Sequence, residues 1–244
     1  MKKIIPCLDI MSGMVVKGVN FVGIKEVGDP LEFAKKYCED GADELTALDI
    51  TATLEGRKTT LEIISRIKKV INIPLAVGGG IRNLADIEDV LTAGADKVGI
   101  NTAAVKDKSL IKEAAYKFGS EKIILAVDTK RQASGRYTVY INAGIDDTGI
   151  DLIDWVKEAE QLGAGELLPT SIDTDGMTGG YDIDLYNLIC GAVKIPVTAS
   201  GGCGKLEDFR EVFNKTNVSA ALAASVFHFG KFTIKNVKNY LEWA

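Results

Sequence analysis

Eight short runs of consecutive apolar, largely β-branched residues recur along the chain, at 4–9, 44–49, 73–77, 96–100, 123–128, 165–171, 195–199 and 219–223. Near-continuous runs, as opposed to alternating ones, are what a parallel sheet covered on both faces needs. Between them the period becomes helical: Leu61, Ile64, Ile67 and Ile71 fall on one face, as do Leu84, Ile87, Val90 and Leu91. Pro30, directly after Asp29, predicts a helix start, and Pro74 and Pro196 stand where strands begin. The pattern reads as βα repeated eight times.

The chain also repeats itself. Residues 78–91, GGGIRNLADIEDVL, align with 200–213, SGGCGKLEDFREVF, at an offset of 122, which is half of 244. The match pairs Gly80 with Gly202 and Asp86 with Asp208, and Glu44 pairs with Glu166 at the same spacing; Asp9 pairs with Asp128 three residues short of it. No linker-like stretch lies near the midpoint, so one domain over 1–244 is expected. Its fold class is α/β, a (βα)8 TIM barrel with a two-fold half-barrel repeat. The connections 11–29 and 129–149 are longer than a barrel needs, and the second reads as a hairpin around Arg136–Ile141. Both should rise over the face where such barrels carry their sites.

Composition narrows the function classes. Hydrophobic residues make up 46%, charged residues 26%, and mean hydropathy is +0.10, enough apolar material for a large core. A net charge of -5 provides no general field for nucleic acid or anionic membrane. Four cysteines without paired metal spacing and a single histidine point to reduced thiols and no metal site. The N-terminal run reaches Asp9 too soon for a secretory leader or a span, so a cytoplasmic chain is expected.

In a βα barrel, polar residues that end apolar runs gather at one rim. Asp9 ends the first run and Asp128 the fifth, opposite each other on an eight-stranded ring, where a carboxylate pair can act as general acid and general base. The plainer alternative is that each caps its own loop. Gly201 and Gly202 follow the seventh run and Ala224 and Ser225 the eighth, the rim where barrels commonly hold phosphate; Gly80 and Asn101 with Thr102 are their counterparts. Two such clusters imply a ligand phosphorylated at both ends, although tight turns alone also use glycine. Asp49 and the 171–176 segment, including Asp175 and Gly176, suit contacts to hydroxyls or ordinary turn chemistry. Lys3, Glu44, Lys97 and Glu166 sit at strand starts, at the opposite end, where buried charges should pair. His228 reads as a packed or hydrogen-bonded histidine.

These segments, among them IIPCLDI, LDITAT, VGGGIR, GADKVGINTAAV, VDTKR, SIDTDG, ASGGCGK and ALAASVFHFG, resemble from end to end the cyclase subunits of imidazole glycerol phosphate synthase. The resemblance implies a (βα)8 lyase of histidine biosynthesis that needs no cofactor. It would condense ammonia with a phosphoribulosyl-formimino aminoimidazole-carboxamide ribonucleotide, giving imidazole glycerol phosphate and aminoimidazole-carboxamide ribonucleotide. It makes Asp9 and Asp128 the catalytic pair. It assigns one substrate phosphate to Gly80, Asn101 and Thr102, and the other to Asp175, Gly176, Gly202, Ala224 and Ser225, beside Gly201. Lys17 then belongs to a loop closing over the substrate. Lys3, Glu44, Lys97 and Glu166 become an ammonia gate facing a glutaminase subunit docked on the N-terminal barrel face. A sister-barrel isomerase of the same pathway and a non-catalytic ammonia conduit are the alternatives.

Several residues depart from the family pattern. Lys3 replaces arginine, Gly99 serine, and Met177-Thr178 Thr-Lys; Asn142-Ala143-Gly144-Ile145 differs from the usual HGGR or NGGR. Pro169 interrupts a strand that usually reads LLTS and should remove a ladder donor from it.

Overall fold

The computed structural model describes residues 2–19, 22–52, 55 and 60–242, the side chains of 17–19 and 22–24 excepted. The chain opens with β1 (Lys3–Met11), turns through Ser12 and Gly13 into β2 (Met14–Val19) and β3 (Val22–Gly28), and enters α1 (Pro30–Glu39). Then come β4 (Leu45–Asp49), α2 (Leu61–Val70), β5 (Leu75–Gly78), α3 (Leu84–Thr92), β6 (Lys97–Ile100), α4 (Thr102–Lys106) and α5 (Ser109–Phe118). The second half repeats the plan with β7 (Ile123–Arg131), the ribbon β8 (Tyr137–Ile141) and β9 (Asp146–Asp151), and α6 (Leu152–Leu162). It ends with β10 (Glu166–Ser171), α7 (Ile183–Ala192), β11 (Thr198–Ala199), α8 (Leu206–Lys215), β12 (Ala220–Ala223), α9 (Ser225–His228) and α10 (Ile234–Glu242).

Each of the eight expected runs holds a parallel strand. The order β11-β12-β1-β4-β5-β6-β7 continues through β10, which pairs with β7. Two bridges, Leu167 to Val197 and Thr170 to Ser200, join β10 to β11. Every one of the eight strands therefore has a parallel neighbour on both sides, which makes the fold a (βα)8 barrel. Ile5, Cys7, Ala76, Ile124, Leu168, Ala220 and Leu222 fill its interior. The larger apolar layer lies between strands and helices, where Ile64 and Ile67 of α2 and Ile87 and Val90 of α3 turn inward as their spacing requires.

Local chemistry explains the helix starts. Asp29 Oδ1 accepts from the Leu31 and Glu32 amides at 2.7 and 3.3 Å, with Pro30 in the first turn. The repeat is visible in the caps of α3 and α8. The Arg82 amide donates to Asp86 Oδ2 at 3.0 Å, and the equivalent Gly204 amide donates to Asp208 Oδ2 at 2.7 Å. Both carboxylates are buried.

The 129–149 connection is the expected hairpin, with β8 antiparallel to β7. Its counterpart after β1 is a ribbon too, β2 pairing with β1 and β3. Register shifts within that ribbon break the alternation that would have revealed it in the sequence. Pro169 leaves β10 continuous along β7, where the pairing runs without a gap from Glu166 to Ser171. The missing donor is felt on the other side, where only the two bridges remain and β11 shortens to Thr198–Ala199. No helix among the described residues is long and apolar enough to cross a membrane.

Candidate active site

Asp9 on β1 and Asp128 on β7 stand four strands apart on the ring and line the same cavity, of about 130 Å³. Asp175, Gly176, Gly201, Gly202, Ala224 and Ser225 line it too. A second cavity, of about 410 Å³, adjoins it through Asp128 and Thr170 and is bounded by Gly80, Asn101 and Thr102. Thus the structure brings together both carboxylates and both clusters singled out in the sequence. The side chain of Lys17 lies outside the described residues.

The two carboxylates sit in different surroundings. Burial pushes the Asp128 carboxyl up to about 6; the Asn101 amide opposes this, and the charge of Asp175 adds to it. Asn101 Nδ2 donates to Asp128 Oδ2 at 3.0 Å, so the Asn101 side chain serves Asp128 directly. Sequence reading placed Asn101 only beside a phosphate. Cys7, two residues before Asp9 and on the same face of β1, places its thiol 3.7 Å from Asp9 Oδ1. That spacing was the available signal. A carboxyl that titrates near 6 can take or give a proton at neutral pH, the property required of a general acid–base.

Backbone geometry accounts for two of the glycines. A Cβ at Gly79 would lie 2.1 Å from the Asp49 carbonyl oxygen, and one at Gly202 would lie 2.1 Å from that of Gly180. Both have positive φ, so chain crossing alone demands glycine there. The same crossings hold these loops against the cavities. Thr102 Oγ1 accepts from the Asn142 amide at 2.9 Å, tying the end of β8 to the first turn of α4. Asp49 Oδ1 accepts from the Ala52 amide at 3.2 Å, in keeping with turn chemistry. His228 Nδ1 lies 2.6 Å from the Tyr37 hydroxyl in the core, as its packed reading expects.

At the opposite end of the barrel the four charged residues form a chain. Lys97 Nζ meets Glu44 at 2.8 Å and Glu166 at 2.7 Å, and Lys3 reaches Glu44 at 3.4 Å. Burial would lower the Lys97 pKa, but its bonds to Glu166 and Glu44 outweigh burial and raise it. Sequence reading missed Thr198, whose hydroxyl donates to Glu166 Oε1 at 2.7 Å from within the apolar run of β11. Among the described residues no three His, Cys, Asp or Glu side chains group as metal ligands.

The family model described as "Histidine biosynthesis protein" matches residues 3–233. The chain belongs to that histidine biosynthesis protein family. Within the family it is similar to a Clostridium botulinum (strain Okra / Type B1) protein named "Imidazole glycerol phosphate synthase subunit HisF". The two are 53% identical over 242 residues, 99% of this chain and 96% of the relative. A Lactococcus lactis subsp. lactis (strain IL1403) protein of the same name is 52% identical over 241 residues, covering 98% and 93%. In this family member the departures at Gly99, Pro169 and 142–145 leave both carboxylates in the shared cavity.

Proposed function

We propose that the chain is the cyclase subunit of imidazole glycerol phosphate synthase, a lyase of histidine biosynthesis. It condenses ammonia with the phosphoribulosyl-formimino ribonucleotide to give imidazole glycerol phosphate and aminoimidazole-carboxamide ribonucleotide. Full-length identity of 52–53% to relatives of that name carries the reading. The relatives are named as subunits, which implies a partner chain.

Asp9 and Asp128 act as the acid–base pair. Ammonia adds to the ribulose carbonyl and water is lost to form an imine. A C–N bond then breaks, its leaving amine taking a proton, and the imidazole ring closes. Each step moves a proton on a different flank of the ligand, and opposed carboxylates can serve both flanks. Asp128, with its carboxyl near 6, exchanges protons readily at neutral pH, held by the Asn101 amide. One substrate phosphate sits by Gly80, Asn101 and Thr102, and the other by Asp175, Gly176, Gly201, Gly202, Ala224 and Ser225. Adjoining cavities that share Asp128 suit a ligand anchored at both ends with its reacting centre between. Lys17 belongs to the ribbon that closes over it.

The partner is a glutaminase docked on the N-terminal face, and Lys3, Glu44, Lys97 and Glu166 gate its ammonia into the barrel. Protonated ammonia is no nucleophile, so passage through an apolar interior keeps it reactive. All 244 residues form one domain for this work, and no cofactor is required. The test is turnover of the bisphosphorylated ribonucleotide by the chain with ammonium. Consumption that needs ammonium supports the cyclase; an ammonium-independent isomerisation would replace it with the sister-barrel reading.

A further inference from the structure

The internal repeat makes each half of the barrel a control for the other, and the β10–β11 seam is broken where its counterpart is continuous. In the first half, β4 and β5 zip without a gap: Leu45, Thr46, Ala47 and Leu48 pair with Leu75, Ala76, Val77 and Gly78. The equivalent seam, 122 residues on, joins β10 to β11. Its outer pairs survive as the bridges Leu167 to Val197 and Thr170 to Ser200, and its two inner pairs are absent. Both seams start alike: the Leu45 amide donates to the Pro74 carbonyl and the Leu167 amide to the Pro196 carbonyl, each at 2.9 Å. Two residues further on, Ala47 has an N–H and Pro169 has none.

A second difference coincides with the first. Position 64 of α2 is isoleucine, whereas its counterpart on α7 is Tyr186, fully buried. The Tyr186 hydroxyl accepts from the Ser200 amide at 2.8 Å, and lies 2.5 Å from the Ser200 carbonyl and 3.2 Å from the Pro169 carbonyl, its two candidate acceptors. It occupies the seam at the point where the ladder stops. Ser200 leads directly into Gly201 and Gly202, and all three line the cavity that holds Asp9 and Asp128. Burial raises the Tyr186 pKa far above its usual value, so the hydroxyl keeps its proton.

We propose that Tyr186 is a positioning residue for the Ser200–Gly202 anion loop, its hydroxyl replacing the strand pairing that Pro169 removes. In the first half the strand ladder runs without a gap up to Gly78, where the corresponding Gly78–Gly80 loop begins. In the second half a side chain from the outer helical layer holds the loop. The proposal rests on reading Ser200–Gly202 as one of the two phosphate cradles.

The experiment compares Tyr186→Phe, Pro169→Ala, the double variant and Ser225→Ala as a control on the cradle. Affinity for inorganic phosphate is measured for each, together with KM and kcat for the bisphosphorylated ribonucleotide with ammonium. Loss of one buried hydrogen bond corresponds to roughly five-fold in affinity. Tyr186→Phe should therefore weaken phosphate binding and raise KM about five-fold, with kcat within about two-fold. Pro169→Ala restores the donor toward Thr198, so adding Tyr186→Phe to it should change either quantity by less than about two-fold. If Ser225→Ala weakens binding and Tyr186→Phe does not, or if Tyr186→Phe acts equally in both backgrounds, the positioning role is wrong and the cradle stands. If neither Ser225→Ala nor Tyr186→Phe alters phosphate affinity or KM, the cradle reading fails and takes the proposal with it. Should Tyr186→Phe not fold alone, the double variant decides: parity with Pro169→Ala supports the role, and a five-fold deficit overturns it.

Discussion

At the scale of single residues, Asp128 ties function to stability. Its carboxyl is raised from 3.8 to about 6 by burial, with Asn101 opposing and Asp175 assisting. A carboxyl raised on folding adds stability below its unfolded pKa and loses it as pH rises through the folded value. Above pH 6 the ionised group therefore costs the fold about 3 kcal/mol, at roughly 1.4 kcal/mol per unit. Asp128→Asn should raise the melting temperature at pH 8 by about 9 °C and leave it nearly unchanged at pH 3.5. Equal gains at both pH values would contradict the origin given for the shift. The same variant should lose cyclisation by at least about 1,000-fold, as should Asp9→Asn, while substrate binding persists. Equilibrium binding and single-turnover assays check this. Both carboxylates were legible in the sequence because each ends an apolar run and the repeat pairs them. The Asn101 amide, the Cys7 thiol and the Thr198 hydroxyl were not assigned their roles, because those depend on rotamers and on which strands become neighbours.

Among the elements, α3 and α8 show how a repeat preserves chemistry after its letters diverge. The N-cap of α3 is Asn83, which accepts from the Asp86 amide at 3.0 Å, and its counterpart is Lys205. Yet Asp86 and Asp208 still close both helix starts. Asp208 also accepts from the Lys205 amide at 2.9 Å, next to the loop that carries Gly202. Asp208→Ala leaves two amides without that acceptor and should cost about 2 kcal/mol, a fall of some 4–8 °C in melting temperature. It should also raise KM for the bisphosphorylated ribonucleotide, because those amides follow directly on the loop that carries Gly202. Calorimetry with steady-state kinetics measures both. The eight strands were readable because barrel strands are apolar on both faces. The ribbon after β1 was not, because its register shifts remove the alternation. Pro169 signalled a lost donor correctly, but only three-dimensional pairing reveals that β11 bears the loss.

For the whole molecule, the barrel separates two kinds of charge: the carboxylates of Asp9 and Asp128 at one mouth and a paired chain of lysines and glutamates at the other. Lys97 holds Glu44 and Glu166 together, and Glu44 is only 1% exposed. Lys97→Met would leave both carboxylates short of their countercharge, costing about 3–5 kcal/mol and roughly 10 °C in melting temperature. With a glutaminase present, glutamine-dependent turnover should fall further than ammonium-dependent turnover; equal losses would deny the ring a gating role. The half-barrel plan was evident from the 122-residue offset, since glycines and buried carboxylates tolerate few replacements. The most direct test of the central claim follows the absorbance of the bisphosphorylated ribonucleotide when the isolated chain is mixed with it and ammonium chloride at pH 8. Ammonium-dependent loss of absorbance, yielding imidazole glycerol phosphate and abolished in both Asp9→Asn and Asp128→Asn, is the predicted result. Undiminished turnover in either variant would contradict the acid–base pair on which the account depends.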